Sequence, residues 1–536
     1  MIVRIYLTLC LCLTSIFAWS TVSETNEHLR KVVEYIRLGH EATIESETIY
    51  CRILLPEFYL RNSFSLAWDA QDKKQLLKVL ENAPNDGLFS KDYHYDALIK
   101  LNTSAKTLEQ KAELDLLFTD AFLLYASHFL NGKVNPETVD GEWKAVRREG
   151  NAREFLEQAL ASGNIESSLR SLKPIHSGYD VLKKQLAVYK NLAASGGWET
   201  IPEGPTLKLG MTDSIRIPKL IDRLVISGDL VLMKNNNYEL NTMIEGALKK
   251  YQTRNGLEVD GALGKQTTES LNIPIEERIN QILINLERYR WIAQDLGEHY
   301  VIVNIADFQM QVFRQGNLTF EENVIVGKTF RKTPVFSSKM TYMVLNPYWV
   351  VPPTILFQDF LPEIQKNPAF LTAKNIKVLK GFGSGANIVD PTTVDWKQYS
   401  KNNFPFTLRQ DPGPTNALGQ VKFIFPNNYN VYIHDTPSKE MFQRADRAFS
   451  SGCIRLKNPM NFTHYLIKDN PKWNKEAIDK IMREGKEYTI FLDKPVNVHI
   501  LYLTSWVEKG ELQFRKDIYN RDQPLLNALL QDSSKL

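Results

Sequence analysis

Apolar residues recur every three to four positions through the first half of the chain and every second position through much of the last third. The clearest helical stretch runs from Thr107 to Leu130, with Leu114, Leu117, Phe118, Ala121, Leu124 and Tyr125 on one stripe and Gly132 and Pro136 to end it. Leu29 to Leu38, Lys73 to Glu81, Arg153 to Ala161 and Tyr179 to Ala194 follow the same period, so residues 21–205 read as a helical bundle. A Gly- and Pro-rich stretch from Ser195 to Pro205 then marks a boundary. Residues 206–274 form a compact segment, with an amphipathic helix from Leu240 to Thr253, a tight turn at Asp260-Gly261 and a further helix starting near Gly264. Residues 275–298 read as a linker helix, with Ile279, Ile282, Leu283, Leu286 and Tyr289 on one face and its charged residues elsewhere. From residue 299 the period is two, through Val301, Val303 and Ile305, Met310 and Val312, Tyr342 and Val344, and the pair Val421 to Phe425 and Asn430 to His434. A closing hairpin around Glu508-Lys-Gly510 takes this mostly β domain to about residue 520, which leaves 521–536 as a tail. Between about residues 354 and 418 the alternation stops; an apolar-rich insertion of that length is expected to be a folded lid.

Composition narrows the class without deciding the function. The 536 residues are too many for one core, and 43% hydrophobic with 24% charged residues is ordinary for a globular protein. Sixty-five Lys and Arg against 62 Asp and Glu leave a net charge of +3, which argues against a nucleic-acid partner. Residues 1–20 read as an export signal: Arg4 precedes the apolar stretch Ile5 to Phe17, and Ala18 and Ser20 are the small residues around a cut. The stretch is short for a spanning helix, so a periplasmic location is expected, with an inner-membrane anchor only if the signal stays on. Outside it the chain has two cysteines, Cys51 and Cys453. In an oxidising compartment they are either bridged or one is kept free for chemistry.

Cys453 sits in Ser450-Ser451-Gly452-Cys453-Ile-Arg455, nineteen residues after His434 in Tyr432-Ile-His434-Asp435. A glycine before the cysteine lets the backbone approach a substrate, Arg455 is a permanent cation, and a histidine at a strand end can take the thiol proton. The N–H of Cys453 and a neighbouring N–H are candidates for an oxyanion hole. Either the Asp435 side chain or a backbone carbonyl could orient the base. Two Cys/His candidates do not make a zinc site, and His464 and His499 are scattered, so no metal and no organic cofactor is expected.

This signature resembles the active site of the L,D-transpeptidases, cysteine enzymes of the YkuD type that crosslink peptidoglycan. Gly327-Lys with Arg331-Lys-Thr333-Pro334, Asn346-Pro-Tyr348-Trp349-Val-Val-Pro352, and Arg409-Gln-Asp-Pro412 with Asn416 agree with it. Residues 206–274, with Ala247 to Gln252, Asn255-Gly-Leu, Asp260-Gly261 and Gly264, resemble a three-helix peptidoglycan-binding domain. The resemblance implies a multidomain α+β protein: a helical scaffold, a small peptidoglycan-binding-like domain and a mostly β catalytic domain with a lid. It implies Cys453 as nucleophile, His434 as base, Asp435 and Gly452 as their supports, and Arg455, Trp349, Tyr348, Tyr432, Ser451 and Asn416 at the substrate. Many family members have His where this chain has Ser451, so His434 must be the base. The implied substrates are peptidoglycan stem peptides and glycan, with other wall-synthesis proteins as partners. The implied product is a 3→3 crosslink, with hydrolysis by an L,D-carboxypeptidase or transfer to another amine as alternatives. A rival of another class is a non-catalytic wall-binding scaffold.

Overall fold

The computed structural model describes residues 24–144, 148, 150–231, 238–381 and 385–531. The expected export signal lies outside them. Among the described residues no helix is long and apolar enough to cross a membrane.

The helical half is as the periodicity requires. Its central helix, Leu108–Asn131, opens on a capping box in which the Thr107 side chain accepts from the Gln110 N–H and the Gln110 side chain accepts from the N–H of Thr107. Helices Ala70–Glu81, Ala152–Ser162 and Ser177–Ala194 match the predicted stretches, and helix Leu54–Arg61 is an addition. Leu117, Phe118 and Ala121 are fully buried, as one apolar stripe facing a core must be.

The predicted linker helix is something else. From Ile282 to its end, helix Ile275–Trp291 is buried on all sides, and the apolar core runs without a break from the helical bundle across it into the β domain. Glu276 and Glu277 are exposed, but the charged residues of the second half are not solvated. Glu287 and Arg290 pair at 2.6 Å, Glu287 also accepts the Val134 N–H at 2.8 Å, and Arg288 meets Asp522 at 2.6 Å. A strand from the bundle, Trp143–Lys144, joins the large sheet of the β domain by pairing with Val335 and Phe336. Scaffold and β domain are therefore one folded unit. The expected tail is corrected as well: Asp522–Leu530 is a helix whose Leu525 and Leu529 belong to the same core.

Lys133 ties that last helix down. Its ammonium is fully buried, 2.7 Å from Asp92 and 2.9 Å from the carbonyls of Leu529 and Gln531. Replacing it by alanine removes a buried ammonium together with its bonds to Asp92 and to two carbonyls at the end of the last helix. The expected cost is about 3–5 kcal/mol, measured by chemical denaturation, and a loss below about 1 kcal/mol would contradict it.

Residues 206–274 have a core of their own, built by helices Arg216–Ile226, Thr242–Arg254 and Lys265–Leu271. Gly264 is the N-cap of the third, as predicted. The Gln252 side chain is fully buried and braces the Asp260-Gly261 turn, accepting the Gly261 N–H at 2.9 Å and donating to Asp260 at 2.7 Å. The module rests on the hairpin Ser505–Glu508 and Glu511–Phe514 through Lys250–Glu511 at 3.0 Å, and through Arg515, which donates to the Arg254 carbonyl at 2.9 Å.

The large sheet has ten strands, and its ladder closes because Val421–Ile424 pairs both with Ile433–His434 and with Val335–Leu345. The lid interrupts the strands less than its sequence suggests. Ile376–Lys380, Asn387–Val389 and Phe406–Gln410 form a small antiparallel sheet with Trp349–Val350, over a third core that includes Leu356, Phe360, Ile364 and Trp396.

Candidate active site

Strand alternation builds the site. Val421 and Phe423, Ile433, and Ile454 and Leu456 are buried in the core, so Lys422, Tyr432, His434, Cys453 and Arg455 fall on the opposite face. Register then sets the neighbours. Lys422 is directly opposite His434, and His434 is directly opposite Arg455, so one row across three strands reads Lys422, His434, Arg455. Cys453 precedes this row beside Tyr432, where the Ile454 N–H donates to the Tyr432 carbonyl at 3.1 Å.

The His434 ring is buried, and Nδ1 lies 2.5 Å from the Asp435 carbonyl. A carbonyl only accepts, so Nδ1 carries the proton and Nε2 presents its lone pair. The group orienting the imidazole is therefore the Asp435 carbonyl. The Asp435 carboxylate is engaged elsewhere, accepting from the N–H groups of Gln420 and Thr436 at 2.8 and 2.7 Å and from Lys439 at 2.6 Å. Burial, with Arg455 and then Lys422 and Lys439 adding like charge, holds the imidazole down at about 3. It is neutral at any physiological pH.

The Cys453 thiol donates to the Asn430 carbonyl at 3.6 Å rather than to His434. Burial pushes it up to about 11, against the opposing pull of the Tyr432 backbone and Arg455. Thiol and imidazole thus rest as a neutral pair, not as an ion pair. Alkylation of Cys453 by iodoacetamide should accordingly rise about tenfold per pH unit from pH 7 to 10, since the thiolate is the reactive form. A plateau already at pH 8 would contradict a raised thiol. The disulfide alternative fails, because Cys51 and Cys453 are both free.

Gly452 has φ +116°, a conformation in which a side chain is strained. Its N–H goes to the Ser450 hydroxyl at 3.1 Å and its carbonyl accepts from Thr333 at 2.8 Å. Among the described residues the Cys453 N–H has no hydrogen-bond partner. It is the free donor that an oxyanion would need.

The loop after strand Asn317–Gly327 supports this turn. Thr333 accepts the Gly327 N–H at 2.9 Å, and the Tyr519 hydroxyl donates to the Gly327 carbonyl at 2.6 Å while accepting the Thr333 N–H at 3.1 Å. A Cβ on Gly327 would fall 2.1 Å from the Arg331 carbonyl, so no other residue fits there. Arg331 joins the nucleophile's turn to the lid, bonding the Ser451 hydroxyl at 3.1 Å, Gln358 at 2.9 Å and the Asp359 carboxylate twice. Ser451 is thus exposed but fastened to the lid's attachment point.

The remaining expected substrate residues make their contacts within and beside the lid rather than with Cys453. Trp349 is 8% exposed in the lid core, edge-on to Phe360, and is a packing residue. Tyr348 is at the surface, its ring 4.4 Å from Arg409, itself paired with Asp411. Asn416 is 1% exposed and pins the lid's return, donating to the carbonyls of Pro347 and Asp411 at 3.0 Å and accepting the Leu418 N–H at 2.8 Å. Sequence reasoning missed Lys422 and Tyr519, and quoted Thr333 in a matching stretch without giving it a role. Lys422 could have been found from the strand pattern, as a lysine at the alternate position of a strand otherwise apolar on its core face. Tyr519 carried no local signal.

Residues 298–481 match the model of the L,D-transpeptidase catalytic domain, and residues 54–186 match that of a scaffold domain. A protein of Haemophilus influenzae provisionally named as an L,D-transpeptidase is 33% identical over 268 residues, 49% of this chain and 53% of that protein. The chain thus spans about half the length of this curated relative. Among solved structures, an L,D-transpeptidase from Mycobacterium smegmatis is 11% identical with a TM-score of 0.20, over 39% of this chain and 60% of that one. One from Xylanimonas cellulosilytica is 13% identical with a TM-score of 0.17, over 56% and 100%.

Proposed function

From a C-terminal domain that belongs to the L,D-transpeptidase family, a family of cysteine transpeptidases, we infer that this chain forms 3→3 crosslinks in peptidoglycan in the periplasm. The observation that carries the reading is the one sheet face shared by a free cysteine with an unpartnered N–H and a neutral, carbonyl-oriented histidine flanked by two cations.

Each atom then has a task. The Cys453 sulfur attacks the carbonyl between diaminopimelate and the terminal D-alanine of a donor tetrapeptide, while its proton passes to Nε2 of His434. The carbonyl oxygen, now negative, takes the Cys453 N–H. A donor of this kind typically lowers the barrier by about 3–4 kcal/mol. The tetrahedral species collapses as the C–N bond breaks, and His434 returns the proton to the leaving amine of D-alanine. A thioester remains. The acceptor's side-chain amine attacks it, gives its proton to His434, and the new amide leaves the thiol free again. With water in place of the amine the product is a tripeptide.

Lys422 and Arg455 give the face its preference for carboxylates. Lys422 makes no ion pair within 4 Å among the described residues, and the Nε of Arg455 is buried with no partner. Together they would hold the stem-peptide carboxylates next to the nucleophile and, by their charge, keep His434 unprotonated. Gly452, Tyr432 and Ser451 shape the turn; Trp349 and Asn416 hold the lid that Tyr348 borders. The module at 206–274 would keep the enzyme on the glycan. No metal or organic cofactor has a step in this scheme.

Purified protein incubated with tetrapeptide muropeptides should give dimers joined between two diaminopimelates, detected by mass spectrometry with release of D-alanine. Tripeptides without dimers would make it a carboxypeptidase. Unchanged substrate would favour a wall-binding scaffold.

A further inference from the structure

The scaffold half holds an open cavity of about 190 Å³ between helices Ala70–Glu81 and Ile165–Ser171, remote in sequence from the catalytic domain. At about 30 Å³ per water it has room for some six waters, the size of a small organic acid. Its walls carry four cations, Lys78, Arg170, Lys173 and Lys183, against two carboxylates, Asp86 and Glu166.

The balance is uneven where it matters. Lys173 and Lys183, each with a quarter of its side chain exposed, both rest on the one buried carboxylate of Asp86, at 3.1 and 2.8 Å. Glu166 is likewise shared between Lys78 at 3.0 Å and Arg170 at 2.6 Å. Two ammonium groups on one carboxylate leave a positive charge uncompensated in a partly desolvated place, which is costly until an anion arrives. Consistent with this, burial and the neighbouring Lys183 hold the Lys173 ammonium below its ordinary value despite Asp86.

A second observation points into the same cavity. Tyr125 lines it, is 2% exposed, and its hydroxyl makes no hydrogen bond among the described residues. Its ring is fixed by Tyr93 and Phe129, with centroids 4.9 and 4.8 Å away. The hydroxyl is not sealed off, so it can donate to what enters the cavity. A ligand oxygen would supply the acceptor.

We propose that this cavity is a binding site for a small carboxylate, seated between the Lys173 and Lys183 ammonium groups and accepting the hydrogen bond of the Tyr125 hydroxyl. The class follows from the lining: cations to meet a negative charge, one hydroxyl donor, and too little room for a sugar chain. The carboxylate has two sources, the end of a wall peptide or a free small acid.

Isothermal titration of the whole chain with N-acetylglycine and with its uncharged amide tests this. Both are run on protein already carrying Lys422→Ala and Arg455→Ala, so that the active-site face adds no second receptor. The acid should bind and the amide should not. Tyr125→Phe should weaken the acid about three- to tenfold, the loss of one hydrogen bond, and Lys173→Gln with Lys183→Gln should weaken it more than tenfold. Tyr125→Phe preserves the packing, so it decides the matter even if the double lysine variant folds poorly. Tighter binding of a tetrapeptide muropeptide than of N-acetylglycine would identify wall peptides as the source; equal or weaker binding would identify a free acid. Equal heats from acid and amide, or unchanged acid binding in Tyr125→Phe, would overturn the proposal.

Discussion

Cys453→Ala is expected to lower the rate of dimer formation from tetrapeptide muropeptides by about 10⁴-fold or more, since removal of a covalent nucleophile leaves only binding and the oxyanion donor. The substitution is small and its site tolerates it: the thiol forms no disulfide, and its hydrogen bonds, to the Asn430 carbonyl at 3.6 Å and with Tyr432, are the weak ones of sulfur. Thermal stability should therefore stay within the range of an ordinary surface change, about 0.5 kcal/mol. The same variant should show no mass increase with a carbapenem, whereas the parent protein should gain the mass of one opened lactam. Dimers formed by Cys453→Ala at a rate within tenfold of the parent would end the thioester mechanism.

His434→Gln is expected to cost about 10²–10⁴ in the same reaction, the usual contribution of a positioned general base. Glutamine can still donate to the Asp435 carbonyl, so the strand end should hold its shape. Two further readouts separate loss of the base from a general disturbance. Iodoacetamide should alkylate Cys453 at nearly the parent rate, because the resting thiol is bonded to Asn430 and not to the imidazole. The residual activity should climb with pH as hydroxide takes over the proton transfer. The parent should instead stay level from about pH 5 to 9, since its imidazole loses its proton near 3 and its thiol only near 11. A parent profile with a limb near pH 6.5 would show that the imidazole titrates normally and would refute its burial as the controlling influence.

The local elements and the cysteine and histidine of the candidate site were legible in the sequence because both are properties of short segments. The helix Leu108–Asn131 follows from its apolar stripe and the Thr107 cap, and the alternation of Val421 to Ile424 separates a core face from a chemical one. Cys453, Gly452 and Arg455 are contiguous, so their proximity needed no fold. Tertiary structure decided what lies between segments. Charges on helix Ile275–Trp291 look solvated in sequence, yet Glu287, Arg288 and Arg290 are buried because Val134 and Asp522 bring them partners from far along the chain. The lid's strands escaped notice because they are short and their apolar residues serve a core of their own rather than the main sheet. Only strand register, a long-range property, set Lys422 and Arg455 on either side of His434. The choice of the Asp435 carbonyl over its carboxylate likewise rested on where Gln420 and Lys439 come to lie. Sequence fixes which groups can react, but burial and register set their protonation and their neighbours, since desolvation and cross-strand contact exist only once the chain has folded.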